Sequence, residues 1–273
     1  MNGATASAFH DLDEFEGPLA VLGGPYSNHL ALRAVLEDAR RRGARRIVCL
    51  GDLGGFGPNP GKIYPLLAEF GVLTIAGNYD RSLAERLSDC GCGYTHPADN
   101  HFAQLSYEYT NRRTTDAERA WLRELPAEGR FTRGGRRWLL CHGSPRRVNE
   151  FLWESGSSDA FLERIARDAN ADQVLCAHTG LHWQRRLPSG ARFVNVGAVG
   201  RPANDGRPGV WYAFFSAGAS VAEFVSVAYD HEALAREMEH EGLPAEFVET
   251  IRTGWWTTCL EILPGKERAR GRF

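Results

Sequence analysis

Four polar blocks, each standing just behind an apolar run, set the strongest constraint on how this chain can fold. Asp52 follows Ile47-Val48-Cys49-Leu50, and Asn78 follows Val72-Leu73-Thr74-Ile75-Ala76. His142 follows Trp138-Leu139-Leu140-Cys141, and His178 follows Val174-Leu175-Cys176-Ala177. Short apolar runs bounded by turn residues are the pattern of buried strands. The carboxyl ends of strands in an open α/β sheet share one edge, where ligands gather. Taken singly, the blocks have ordinary explanations: Gly51-Asp52 as a turn with an N-cap, Gly77-Asn78 as a turn, and each histidine as a buried or capping side chain. Together they offer one carboxylate, one amide oxygen and two imidazoles, a ligand set for one divalent metal.

Helical patterns alternate with these runs. Residues 29–39 carry apolar side chains at three- and four-residue intervals behind Asn28, a candidate N-cap, and Gly43 ends the pattern. Residues 59–70 and 158–168 read as further helices, and residues 230–252 as a helical stretch. Alternation of this kind predicts βαβ units in a sheet covered by helices. Between residues 183 and 227 the pattern changes to short strands with turns at Pro188-Ser189-Gly190 and Asn204-Asp205-Gly206. Residues 1–17 read as a flexible acidic leader, residues 18–254 as one domain, and residues 255–273 as a solvated tail. Within the domain, residues 81–127 read as a cap-like helical insertion, with the capping-box pattern Thr115-Asp116-Ala117-Glu118 opening its second helix.

Composition narrows the partners. At 273 residues the chain can bury a full core, and a net charge of −2 speaks against a polyanion-binding surface, so nucleic acid is not an expected partner. The basic cluster Arg40-Arg41-Arg42 is explained as a complement to a helix C-terminus. No apolar stretch reaches the ~18–20 residues of a membrane span. The first residues show neither the basic start nor the apolar run of a secretory signal, so the expectation is a cytoplasmic protein without membrane partners. Of six cysteines, Cys49, Cys141 and Cys176 read as small buried apolar groups. Cys90 and Cys92, with His96 and His101 nearby, are a weaker zinc candidate, and no disulfide framework is expected.

The four blocks, with His142-Gly143-Ser144-Pro145 among them, resemble the calcineurin-like metallophosphoesterases. The similarity is greatest to the small bacterial phosphodiesterase branch with a His-Gly-Ser-Pro block, whose closing segment Asn195-Val196-Gly197-Ala198-Val199-Gly200-Arg201-Pro202 also resembles. The resemblance implies a four-layer αββα sandwich. It implies that Asp52, Asn78, His142 and His178 hold one Mn²⁺, Fe²⁺ or Zn²⁺, and that the chain hydrolyses a small phosphodiester or nucleotide. Departures from the family fall on one side of the site. Where the family has Asp-x-His, this chain has Gly24-Pro25-Tyr26, and where it has Gly-His-x-His, this chain has Ala177-His178-Thr179-Gly180. Tyr79 stands where the family has its general-acid histidine.

Three explanations of the gap stay open. A second ion is held by substitute ligands, with Tyr26 and His182 as candidates and His29 as a weaker one. Alternatively, a single ion does the chemistry, with Tyr79 as a hydrogen-bond donor. In the third, the pocket binds metal or phosphate as a regulatory module without turnover. Asn28 with the helix it caps and Arg146 are candidate phosphate contacts, and Asp80 is a candidate to orient a ligand. A homodimer is compatible with the exposed apolar character of Trp255-Trp256.

Overall fold

A computed structural model describes residue 9 and residues 12–270. Its core consists of two five-stranded sheets lying face to face. The first is built around β1 (Leu19–Leu22), which pairs in parallel with β2 (Arg46–Cys49). The helix between them, α1 (His29–Arg41), is the crossover, and Asn28 caps it by accepting the Ala31 N–H at 3.0 Å. A second crossover through α2 (Ile63–Phe70) leads to the two-residue β3 (Leu73–Thr74). Then α3 (Asn78–Glu85), α4 (Pro97–Arg113) and α5 (Asp116–Arg123) follow in succession. The expected capping box at the start of α5 is formed: Thr115 Oγ1 accepts the Glu118 N–H, and Glu118 Oε2 accepts the Thr115 N–H.

The second sheet opens with the hairpin of β4 (Glu128–Arg133) and β5 (Arg136–Cys141). Sequence alone did not distinguish β4, because its apolar side is interrupted by arginines. Through α6 (Asp159–Asp168) the chain reaches β6 (Gln173–Cys176), and then β7 (His182–Arg186) and β8 (Arg192–Val196), giving the order β4-β5-β6-β8-β7. The antiparallel pair β9 (Val210–Phe215) and β10 (Glu223–Val227) returns to the first sheet, whose order is β10-β9-β1-β2-β3.

Strand alternation explains the layers. Leu19 and Val21 point between the sheets, where they meet Trp138, Leu140, Leu175 and Val194 from the second sheet. Ala20 and Leu22 point the other way, onto Leu32, Val35 and Leu36 of α1. Leu139, Val174 and Phe193 of the second sheet face Leu162 and Ile165 of α6. The result is helix, sheet, sheet, helix: the αββα sandwich that the resemblance implied. None of the described helices is long and apolar enough to cross a membrane.

The helical stretch near residue 240 is two helices, α7 (His231–His240) and α8 (Ala245–Thr253), broken at Gly242-Leu243-Pro244. The described residues toward both ends of the chain are more firmly packed than the sequence suggested. Phe9 and Leu12 are buried between the sheets, and the Glu14 N–H donates to the Thr132 carbonyl at 2.8 Å. The described part of the leader is therefore docked, and its other residues lie outside those described. The segment read as a solvated tail is likewise docked. Trp256 and Leu263 are buried, and Glu267, at the end of the chain in α9 (Gly265–Arg270), accepts the Ser155 N–H at 2.8 Å. Cys90 and Cys92 are joined in a disulfide, against expectation, so neither offers a thiolate to zinc.

Candidate metal centre

All four polar blocks stand at the carboxyl ends of β2, β3, β5 and β6, along one edge of the sandwich. The turn after β2 brings Asp52 to the edge with φ +57°, a left-handed conformation that Asp tolerates better than most residues. Asp80 holds that turn. Its carboxylate accepts backbone N–H groups from Asp52 at 2.7 Å, Leu53 at 3.0 Å and Gly77 at 2.8 Å, and it is fully buried. Residue 77 must be glycine for this approach, since a Cβ there would lie 2.1 Å from Asp52 Oδ1. Asp52 Oδ1 in turn accepts the Tyr79 N–H at 3.0 Å, which locks the β2 turn to the start of α3.

His142 Nδ1 lies 2.6 Å from the Leu50 carbonyl and donates to it, which leaves Nε2 turned inward. That Nε2 is 3.0 Å from Asp52 Oδ2 and 3.2 Å from His178 Nδ1. Asp52, His142 and His178 are all buried, and each has a ligand atom within 4.8 Å of the others. Asn78 adds a fourth donor: its Nδ2 is fixed by the Cys90 carbonyl at 2.9 Å, while its Oδ1 is buried without a hydrogen-bond partner. A carboxylate and two inward imidazoles, with the orphaned oxygen of Asn78 at the next strand end of the same sheet edge, fit a divalent ion that takes nitrogen and oxygen ligands. The His178 loop is pinned from below by Asn195, which donates to the Ala177 carbonyl at 2.7 Å and to Thr179 Oγ1 at 2.9 Å.

The charges of the site respond to one another. Burial alone would push the Asp52 carboxyl up, but the charge and hydrogen bond of His142, with smaller help from His178 and the Tyr79 N–H, hold it below the usual range. Burial pushes His142 down, yet Asp52 overcomes this and raises it. The pair thus favours a proton shared between carboxylate and imidazole where the donors converge, and a metal ion would compete with that proton. Burial and then Asp52 raise the Asp80 carboxyl to about 6, against the pull of its three backbone donors. His178 is pushed down to about 3 by burial and then by repulsion from His142. A base depressed in the folded state takes up a proton on unfolding. Its stabilising contribution is therefore complete above its ordinary value of 6.5 and is lost as the pH falls toward 3. In metal-free protein, urea unfolding of wild type against His178→Gln should shift in the variant's favour by ~1.4 kcal/mol per pH unit between about pH 6 and 4. A pH-independent difference would refute the depressed value.

The other sequence candidates are dispersed. Tyr26 does line the pocket, but burial and then the Asp52 charge push its phenol far up, so it stays protonated. His182 is turned away between the sheets, packed at a tilt against Trp211 and Phe224 with ring centroids 4.5 and 4.8 Å away, and is not a substitute ligand. His29 lies outside, near Lys62 and Glu237. Both polar atoms of Asn28 are used, on the Ala31 N–H and the Gly200 carbonyl, so it is not free for phosphate. Arg146 belongs to a different surface, near Glu150 and over Phe161, and is half exposed. Tyr79 Oη is engaged with Ser106 Oγ at 3.3 Å and Thr110 Oγ1 at 3.4 Å, and burial keeps the phenol protonated.

Aromatic rings fill the positions from which the first-ion ligands would project. A Cβ on Gly24 would lie 2.3 Å from the Tyr26 ring, and one on Gly180 would lie 3.2 Å from the Trp256 ring. The pocket in front of Asp52 and His178 has a volume of ≈ 80 Å³, and Tyr94, Phe102, Phe151, Trp153, Phe247 and Trp256 contribute to its walls. Phe151 lies against His178 with ring centroids 4.2 Å apart. Sequence reasoning missed this wall because it is assembled from the 81–127 segment, the loop after His142, α8 and the C-terminal segment.

Comparison with known proteins gives the family and the fold. A model of the calcineurin-like phosphoesterase superfamily domain matches residues 1–217. The chain is 25% identical over 248 residues to an uncharacterised protein of Methanocaldococcus jannaschii, covering 86% of this chain and 98% of that one. Among solved structures, a metallophosphoesterase from Sphaerobacter thermophilus is similar with a TM-score of 0.68 and 25% identity, over 87% of this chain and 99% of that one. A hypothetical protein from Pyrococcus horikoshii OT3 shares the fold with a TM-score of 0.74 and 22% identity, over 88% of this chain and 99% of that one.

Proposed function

Because the chain belongs to the calcineurin-like phosphoesterase superfamily, we propose that it hydrolyses a small phosphodiester or nucleotide with one divalent ion held by Asp52, Asn78, His142 and His178. The observation that carries this reading is the convergence of buried ligand atoms of Asp52, His142 and His178 within 4.8 Å of one another. A bound Mn²⁺, Fe²⁺ or Zn²⁺ would supply Lewis acidity toward a phosphoryl oxygen and acidify a water. The chain's own groups set the geometry. Leu50 fixes the His142 tautomer, Asp80 fixes the backbone that presents Asp52, and Asn195 fixes the His178 loop. The aromatic walls exclude water and favour a substituent with an apolar or flat face.

Tyr79 stays protonated and bonded to α4, so no group at this position donates a proton readily at neutral pH. Proton donation to a leaving group is worth about 10²–10⁴-fold. Esters with good leaving groups, such as bis-p-nitrophenyl phosphate, should therefore be turned over faster than alkyl diesters by a ratio in that range. Equal rates on both would count against the assignment of Tyr79.

One observation favours a second reading, in which the chain binds metal or phosphate and acts through a partner: Tyr26 and Trp256 fill the places of the first-ion ligands. Elemental analysis of Mn²⁺-loaded protein, paired with the diester assay, separates the two. One ion per chain with turnover supports the hydrolase. One ion without turnover on any phosphoester supports the binding module, and two ions per chain overturn the one-ion centre.

A further inference from the structure

We propose that Arg201 is the phosphate-binding cation of this pocket, its guanidinium holding the anionic group of the substrate on the side where first-ion ligands are replaced by rings. This rests on the phosphoester reading above and names the residue that meets the substrate's charge. Arg201 follows β8, on the sheet edge that carries His178. Gly200 before it is pressed on the Tyr26 block, where a Cβ would lie 2.3 Å from the Pro25 carbonyl oxygen and 2.4 Å from Tyr26 Cβ. That close approach seats Arg201 in the same cavity as Asp52, His178 and Tyr26.

The Arg201 side chain is only 7% exposed. Its guanidinium lies over the Trp256 ring, 3.7 Å from the centroid, with the Phe56 ring at 5.3 Å. Nη2 donates to the Thr258 carbonyl at 2.7 Å. Nε is buried without a partner, and no carboxylate is within ion-pair distance of the group among the described residues. A buried cation with no carboxylate partner and an unsatisfied Nε is costly unless an anion enters. The planar guanidinium suits phosphate oxygens better than any other side chain, and stacking on tryptophan fixes its plane while leaving its edges free. The cavity of ≈ 80 Å³ has room for several waters at ~10–15 Å³ each, enough for a phosphoryl group beside the ligand cluster.

Titration calorimetry with inorganic phosphate tests this, with bound Mn²⁺ counted by elemental analysis. Arg201→Gln should weaken phosphate binding about 10- to 100-fold while the Mn²⁺ count stays unchanged. Arg201→Lys, which keeps the charge and loses the planar fork, should fall between. Metal-free wild type should still bind phosphate, because the cation is part of the chain; this measurement decides even where a variant fails to fold. Equal affinity in wild type and Arg201→Gln, or no binding by metal-free wild type, overturns the proposal and leaves the metal-centred hydrolase to its own assay. Phosphate bound through Arg201 in a protein that takes up no Mn²⁺ would sustain the proposal and sink the hydrolase.

Discussion

Asp52→Ala should remove the bound ion and lower diester hydrolysis by about 10³-fold or more, with His142→Ala close behind. Losing several kcal/mol of charge stabilisation at the phosphoryl group corresponds to a factor of that order. Asp52 is expected to matter most because it serves two partners at once. One oxygen takes the Tyr79 N–H, the other faces His142 Nε2 at 3.0 Å, and its charge raises the His142 imidazole's affinity for a proton. Removing it leaves two imidazole nitrogens 3.2 Å apart with no anion between them. The check is elemental analysis together with the diester assay. Retention of a full equivalent of metal by Asp52→Ala would remove this residue from the ligand set.

The second large effect falls on a residue that touches no substrate. Asp80→Ala should cost about 3–5 kcal/mol of stability and, in whatever remains folded, most of the metal affinity. Three backbone N–H groups lose their acceptor in a fully buried place, and each orphaned donor costs ~1–3 kcal/mol before relaxation. Relaxation is hindered by the close approach of Gly77 to Asp52. Asp80→Asn should cost less, since one carbonyl oxygen remains, but its amide hydrogens would face other donors. Urea unfolding of the three proteins gives the order wild type, Asn, Ala. An Ala variant as stable as wild type would mean that water replaces the carboxylate at no cost.

What could be read from the sequence follows from what sequence encodes directly. Strand ends are marked by apolar runs, and polar residues just behind them share an edge once the runs align. Asp52, His142 and His178 were therefore legible before any coordinates, as were the α1 cap at Asn28 and the α5 capping box. Side-chain direction is encoded less directly. His182 is close to His178 in sequence, but β7 pairing with Val196 turns it toward Trp211 and Phe224. Arg146 directly follows the His142 block, yet Ser144 accepts the Arg146 and Arg147 N–H groups and folds that loop away from the pocket. Arg201 stands inside the closing segment that carries part of the family resemblance, at a position the resemblance gives no role. Nothing local announces that an arginine will be buried, because the ring that covers it arrives from Trp256, far along the chain.

That arrangement has a consequence for synthesis. Every ligand of the metal cluster lies within residues 52–178, and both sheets are complete by Val227. Trp256, anchored by the Pro202 carbonyl and by Asn204, is translated about 80 residues after His178, several seconds later at ~5–20 residues per second. A nascent chain can thus bring Asp52, His142 and His178 together while the pocket wall is still half built, with Phe247 and Trp256 closing it last.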